Sequence, residues 1–227
     1  LDYLATYKWG LIWANAGEVT FIVSDTVYEG KSGYKFKGNG RSLKRWDWFF
    51  KVRSSYESIT NEQLKPYEFS RTGQEGDNSY FNEYQFSDSL AEFSRVDRNG
   101  ELEQKSIGIT PCTFDVMSAI YYCRGLDFEH IPVGEKVPLD LVMDGALHYS
   151  YVKFMGTVDI RHPKLKKKVS CYHFKPMLMA GTVFKPGENM DVYVTADERK
   201  IPVHVRTGLR VGHARIWLMN TNILNPN

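Results

Sequence analysis

The chain is short of the features that usually announce a function. Its 29 Lys and Arg against 27 Asp and Glu leave a formal charge of +2. That is too near balance for a dedicated nucleic-acid binder, which carries a marked basic excess. No apolar run approaches the eighteen or so residues that a helix needs to cross a bilayer, so membrane contact is at most peripheral. Repeats, low-complexity tracts and Pro-rich linkers are also missing, and the expectation is a single domain over residues 1–227. An initiator Met and a leader segment are absent, which suggests an exported protein, periplasmic or beyond, whose signal peptide has been removed.

Cysteine is scarce and odd in number: Cys112, Cys123 and Cys171. Cys112 and Cys123 bracket a helical stretch, which separates them by roughly 16 Å at about 1.5 Å per residue. A disulfide needs Cα atoms within about 7 Å. Any bridge must therefore use Cys171, with Cys112 or Cys123, and the alternative is three buried reduced thiols. Cys171 and His173 have no further ligands at a recognisable spacing, so no metal and no cofactor are expected.

Aromatic residues, by contrast, are plentiful, with 14 Tyr, 13 Phe and 5 Trp. Together with β-branched residues they favour strands. Tyr3–Trp13 and Glu18–Tyr28 read as strands joined at Asn15-Ala16-Gly17. Tyr34-Lys35-Phe36-Lys37 alternates apolar with Lys, and Tyr67–Arg71, Tyr80–Phe86, Glu92–Val96 and Glu101–Ile107 continue the series. Asn99-Gly100 and Asp144-Gly145 are hairpin dipeptides. Beyond Lys136–Val142 and Ala146–Val158, strands are expected at Lys167–Leu178, Val192–Thr195, Pro202–Arg206 and Leu209–Leu218. Asn220–Asn227 reads as a loose tail.

One stretch differs. In Pro111–Gly125, Phe114, Met117, Ser118 and Tyr121 recur at helical spacing and make a broad apolar face. Thr113 is placed to cap it, Asp115 falls in the first turn, and Arg124 and Gly125 mark its end. The expected fold is mainly β: one large curled antiparallel meander, an open or partly closed β-barrel, with a single helix packed on its concave side.

Candidate sites follow from this placement. A ligand held between helix and sheet would touch Phe114, Met117 and Tyr121, and the aromatic cluster Trp46–Phe50 supplies Trp46 and Trp48 as further wall or rim. The basic run Arg161–Lys168 offers Lys164, Lys166, Lys167 and Lys168 to anionic headgroups or an acidic polymer, although solvated charge at a hairpin tip explains it as well. Asp197 and Glu198 read as an exposed turn. His204 and His213 fit a cross-strand polar pair on the last hairpin. Ser118 lacks a G-x-S-x-G context and fits a small packing residue better than a nucleophile. No catalytic residue is assigned.

Three stretches carry a family resemblance. Phe114–Arg124 resembles the D-x-x-S-A-x-Y-x-x-R helix of a family of bacterial exported proteins catalogued as domain of unknown function 3108. Thr195–Leu218 is similar to that family's T-x-D-x-x-x-x-P-V hairpin and the strand after it, and Tyr7–Phe21 resembles its G-x-x-x-A-G opening. The family helix often begins Asp-Pro, whereas Val116 follows Asp115 here. The resemblance implies an envelope protein and transfers no activity. The resulting expectation is non-enzymatic binding or carriage of an apolar or amphipathic ligand, such as lipid or lipoprotein. One alternative is an envelope scaffold or interaction module with a filled core; another is a hydrolase with a His and carboxylate site. The partners expected are a lipid or an envelope protein, and no nucleic acid.

Overall fold

In the computed structural model, alternation of apolar and polar side chains becomes fifteen strands, among the described residues, hydrogen-bonded in one sheet. The described residues are 1–227 without 10–11, 49–50, 97–99, 166, 180–185, 210–211 and 225–227. In chain order the strands are β1 Asp2–Trp9, β2 Ile12–Tyr28, β3 Lys31–Ser42, β4 Val52–Asn61, β5 Pro66–Glu75, β6 Asn78–Phe86, β7 Leu90–Val96 and β8 Leu102–Gly108. The short β9 Thr113–Phe114 and the helix α1 Val116–Gly125 follow, then β10 Lys136–Met143 and β11 Ala146–Arg161. The series ends with β12 Lys168–Pro176, β13 Met190–Thr195, β14 Pro202–Gly208 and β15 His213–Leu218. Hydrogen bonding runs β8 to β1 in reverse order, passes to β15, and descends to β9. The meander is antiparallel except where β9 pairs in parallel with β10.

The chain divides into two compact units. Unit 2, Glu18–Tyr122 with Leu139–Tyr149, has a core made by one face of its strands. Phe36, Phe69, Tyr84 and Phe93 lie on it, with Met117 of α1 and Val142 of β10 packed among them. Tyr84 touches both Phe69 and Phe93, with ring centroids 5.6 and 4.9 Å away, the tilted arrangement aromatic rings prefer. The hairpin at Asp144-Gly145 forms as its dipeptide predicts, with φ of 50° and 74°. A Cβ on Gly145 would lie 2.9 Å from Phe93. Gly145→Ala is therefore expected to lower stability by about 2 kcal/mol, through strain at positive φ and the clash together. Chemical denaturation checks this, and a change below about 0.5 kcal/mol would contradict it.

Unit 1, Leu1–Gly17 with Cys123–Pro138 and Ser150–Asn227, centres on Phe128. Its ring lies 5.2–5.4 Å from those of Phe154, Tyr172 and Phe174. Val194 and Val203 are fully buried.

Several sequence expectations need correction. β2 runs through Asn15-Ala16-Gly17 without a turn, because ladder hydrogen bonds along a long strand outweigh a local turn preference. The helix starts at Val116, and Thr113-Phe114 form a strand against Asp140-Leu141 instead of a cap. The expected tail is in part ordered: Thr221–Leu224 form a 3-10 turn, Leu224 is buried, and Arg199 donates to the Ile223 carbonyl. All three cysteines are free, with Cys123 and Cys171 buried and Cys112 exposed. Burial pushes both buried thiols up to about 12. Asn99 of the Asn99-Gly100 turn lies outside the described residues.

Candidate functional site

The helix face expected to wall a ligand is occupied by protein. Met117 is 2% exposed within the unit 2 core. Tyr121 stacks on Phe36 at 4.0 Å, and Phe114, also buried, stacks on Tyr122 at 4.5 Å. Trp46 lies half-buried in a 3-10 turn, while Trp48 is 80% exposed. The turn is fastened by Asp47, which accepts from Ser42 and Arg53. Phe49 and Phe50 lie outside the described residues. Lys164, Lys167 and Lys168 are exposed in the return between β11 and β12; Lys166 lies outside the described residues.

The residues that carry the family resemblance build structure. Asp115 is fully buried and caps α1, its Oδ1 accepting from the Met117 and Ser118 amides at 2.7 and 3.0 Å. Its Oδ2 accepts from the hydroxyls of Ser58 and Ser118 at 2.7 and 2.8 Å. Ser118 is thus a cap partner. In unit 1, Arg124 donates to the carbonyls of Arg199 and Lys200. Thr195 and Asp197 close the turn that leads to Pro202, where Thr195 donates to Asp197 and accepts from the Ile201 amide.

A constellation that sequence spacing does not display lies on one face of β12–β15. Alternation puts His173 and Lys175, Asp191 and Tyr193, His204 and Arg206, and Arg215 and Trp217 on a common side of their strands. Register then aligns them. His173 pairs with Tyr193, Tyr193 with His204, and His204 with Trp217. Their rings stack in a ladder with centroid spacings of 4.5, 5.6 and 3.6 Å. His162, from the basic return, seats edge-on against Trp217 at 5.4 Å and donates to the Leu218 carbonyl. The expected His204–His213 pair does not form, since His213 sits opposite Gly208.

Beside the ring ladder runs a row of charge. Lys153 pairs with Lys175, and Arg206 pairs with both Asp191 and Arg215. Asp191 binds His173 at 2.8 Å, Lys175 at 3.3 Å and Arg206 at 3.1 Å. Burial acts to raise its pKa, but the hydrogen bonds from His173 and Arg206 prevail and hold the carboxyl below its usual range. Burial keeps His173 below the usual histidine range in spite of Asp191. The His–Asp pair is consequently clamped between cations, which suits an electrostatic anchor better than a proton relay. Arg215 has a different partner: its guanidinium lies over the Trp13 ring at 4.0 Å, with Lys8 at 5.9 Å from the same ring. Among the described residues no carboxylate pairs with Arg215 or Lys8. At the other end, Glu188 binds Lys153 at 3.2 Å and accepts from Tyr151.

Unit 2 holds two surface concavities, of about 650 and 490 Å³. Both are walled mainly by polar strand residues such as Glu57, Ser70 and Glu83 in the larger and Arg41, Arg53 and Thr72 in the smaller. Neither includes the helix residues or Trp48. No cluster of three or more potential metal ligands occurs among the described residues.

Similarity to known proteins agrees with this architecture. The family model described as "Protein of unknown function (DUF3108)" matches residues 2–218. A solved structure from Brucella abortus, titled as a beta-barrel-like protein of domain of unknown function DUF1849, superposes with a TM-score of 0.60. It is 9% identical, with 96% of this chain and 94% of that chain covered, a likeness of fold alone. A search of curated proteins found no match to the chain.

Proposed function

The chain belongs to the DUF3108 family, and we propose that it is an exported envelope protein that acts by non-enzymatic binding at its surface. The observation that carries this is the filled helix face of unit 2. Carriage in a cavity would need space against Phe114, Met117 and Tyr121, and Phe36, Val142 and Tyr122 take that space. The interaction-module alternative calls for a packed core and outward aromatic or basic residues, and exposed Trp48 and the Lys164–Lys168 return support it. The resemblance to exported proteins supports the envelope as its compartment. On this reading unit 1 contributes the binding surface, because its sheet face sets Arg206 opposite Arg215 with no carboxylate among the described residues paired to Arg215.

Native mass spectrometry of protein released from its own envelope tests the proposal. The expected spectrum shows the polypeptide mass alone after a high-salt wash. A lipid retained one-to-one through that wash would overturn surface action in favour of carriage. Recovery in the cytosolic fraction after osmotic shock would overturn the compartment.

A further inference from the structure

Two pairs of like charges face each other in the unit 1 row, Lys153 with Lys175 and Arg206 with Arg215. Like charges directly opposite on a sheet destabilise it, so the row costs stability unless a counter-charge is present. At the Lys153 end Glu188 supplies one. At the Arg215 end none of the described residues does. Asp191 is shared among His173, Lys175 and Arg206, and its one negative charge cannot also balance Arg215 and Lys8.

The geometry of the two arginines is that of a receptor. Facing Cα atoms on paired strands lie roughly 5 Å apart; from there Arg206 turns to Asp191 on β13 and Arg215 to Trp13 on β2. Arg206 commits Nε and Nη2 to Asp191 and leaves Nη1 free. Arg215 holds its guanidinium over the Trp13 ring at 4.0 Å, and no carboxylate among the described residues takes its N–H groups. Arg206 is exposed, with 53% of its side chain reachable. A guanidinium held over an aromatic ring, with a second one rooted on the adjacent strand, suits a tetrahedral, multiply charged oxyanion.

We propose that Arg206 and Arg215, with Lys8 and Lys175 at their flanks and Trp13 as platform, form a binding site for a phosphate group. The phosphate is carried by a lipid headgroup or by a free phosphate ester. The inference rests on the surface-binding reading above and names the chemistry that surface takes. Phosphate offers oxygen acceptors on several sides, which suits donors that approach it from different strands.

The test is titration of the full chain with inorganic phosphate, followed through the indole N–H signal of Trp13, which Trp13→Phe identifies. A second titration uses vesicles of anionic phosphatidylglycerol against neutral phosphatidylcholine. Phosphate should shift the Trp13 signal saturably, and Arg215→Gln should weaken binding roughly tenfold, as loss of a charge-assisted contact predicts. Loss of the contact with Trp13 and relief of the like-charge opposition to Arg206 act in opposite senses, so this variant should melt close to the parent. Arg206→Gln provides a second, independent loss. Lys31→Gln removes an exposed charge from β3 of unit 2 and should leave phosphate binding unchanged. Binding to phosphatidylglycerol that Arg215→Gln abolishes assigns the phosphate to a lipid; phosphate binding without vesicle binding assigns it to a free ester. Absence of a Trp13 shift, or equal weakening by the lysine variant, would overturn the site and leave the surface-binding reading standing. A lipid retained one-to-one in Arg215→Gln would instead overturn that reading.

Discussion

Replacing Asp115 with Ala is expected to lower the unfolding free energy by about 4 kcal/mol, the scale of breaking a buried charged network. Denaturant titration should show an earlier midpoint at unchanged slope. The size follows from what Ala leaves behind. Ser58 and Ser118 are both fully buried, and without Asp115 their hydroxyls and the Met117 and Ser118 amides lose the acceptor that now takes all four bonds. Each buried donor left without a partner costs about 1–3 kcal/mol, partly recovered by relaxation. Burial pushes the carboxyl above its usual range even against these bonds, so a neutral amide is the milder change. Asp115→Asn keeps an oxygen for the two amides, and the serine hydroxyls can turn to accept from its NH₂. Its expected cost is about half as large. An Ala variant within about 1 kcal/mol of the parent would show that the cap does not organise unit 2. The result matters for function, because this cap sets the start of the helix whose filled face argues against a cavity.

The helix shows how far the sequence is legible. Spacing alone places Met117 on the buried face and Arg124 and Gly125 at the end of α1, since helical periodicity is local; Phe114 is buried as well, but from β9 and not from the helix. The cap is misplaced by two residues, because Thr113-Phe114 are recruited by Asp140-Leu141, and a strand partner that distant leaves no local trace. The Asp144-Gly145 turn is legible for the opposite reason: its backbone requirement falls on the residues themselves. The charge row and ring ladder are hidden differently. Alternation shows that His204 and Arg206 share a side of β14, but which residues face them depends on register. Register here is set by the Leu209–Gly212 return and by irregularities at Phe154/Gly156 and Tyr193/Val194. Placing the turn elsewhere pairs His204 with His213, and the ladder disappears. His162 is the sharpest case. It lies in a run of exposed cations yet is 1% exposed, because the Leu218 carbonyl and the Trp217 edge receive it.

The ladder should make the protein labile in mild acid, over a window above that in which Asp191 titrates. His204 is 6% exposed, stacks on Trp217 and donates from Nδ1 to the Ile216 carbonyl at 2.8 Å. Burial lowers its pKa from an ordinary 6.5 to about 4, and Arg215, Arg206 and His162 push the same way. The unfolded chain therefore binds more protons than the folded one between these values. Stability is complete above about pH 6.5 and falls as pH drops towards 4, by up to about 3 kcal/mol for this group. His162 and His173, both lowered chiefly by burial, add losses of the same sign. His204→Phe keeps a ring between Tyr193 and Trp217 and removes the titration. It should cost about 1 kcal/mol near neutrality for the lost hydrogen bond, yet lose less stability than the parent on acidification. Urea midpoints measured from about pH 7 to about pH 4 give both slopes, and parallel slopes would refute the assignment to His204. Asp191 cannot produce the same effect in that range. Its pKa is lowered from 3.8, so its contribution is present above that value and is lost only as pH falls through a lower one. A loss of stability that is already under way between about pH 6 and 5, and that is flattened by His204→Phe, thus reports protonation of the ladder and not of the carboxylate that anchors the cation row.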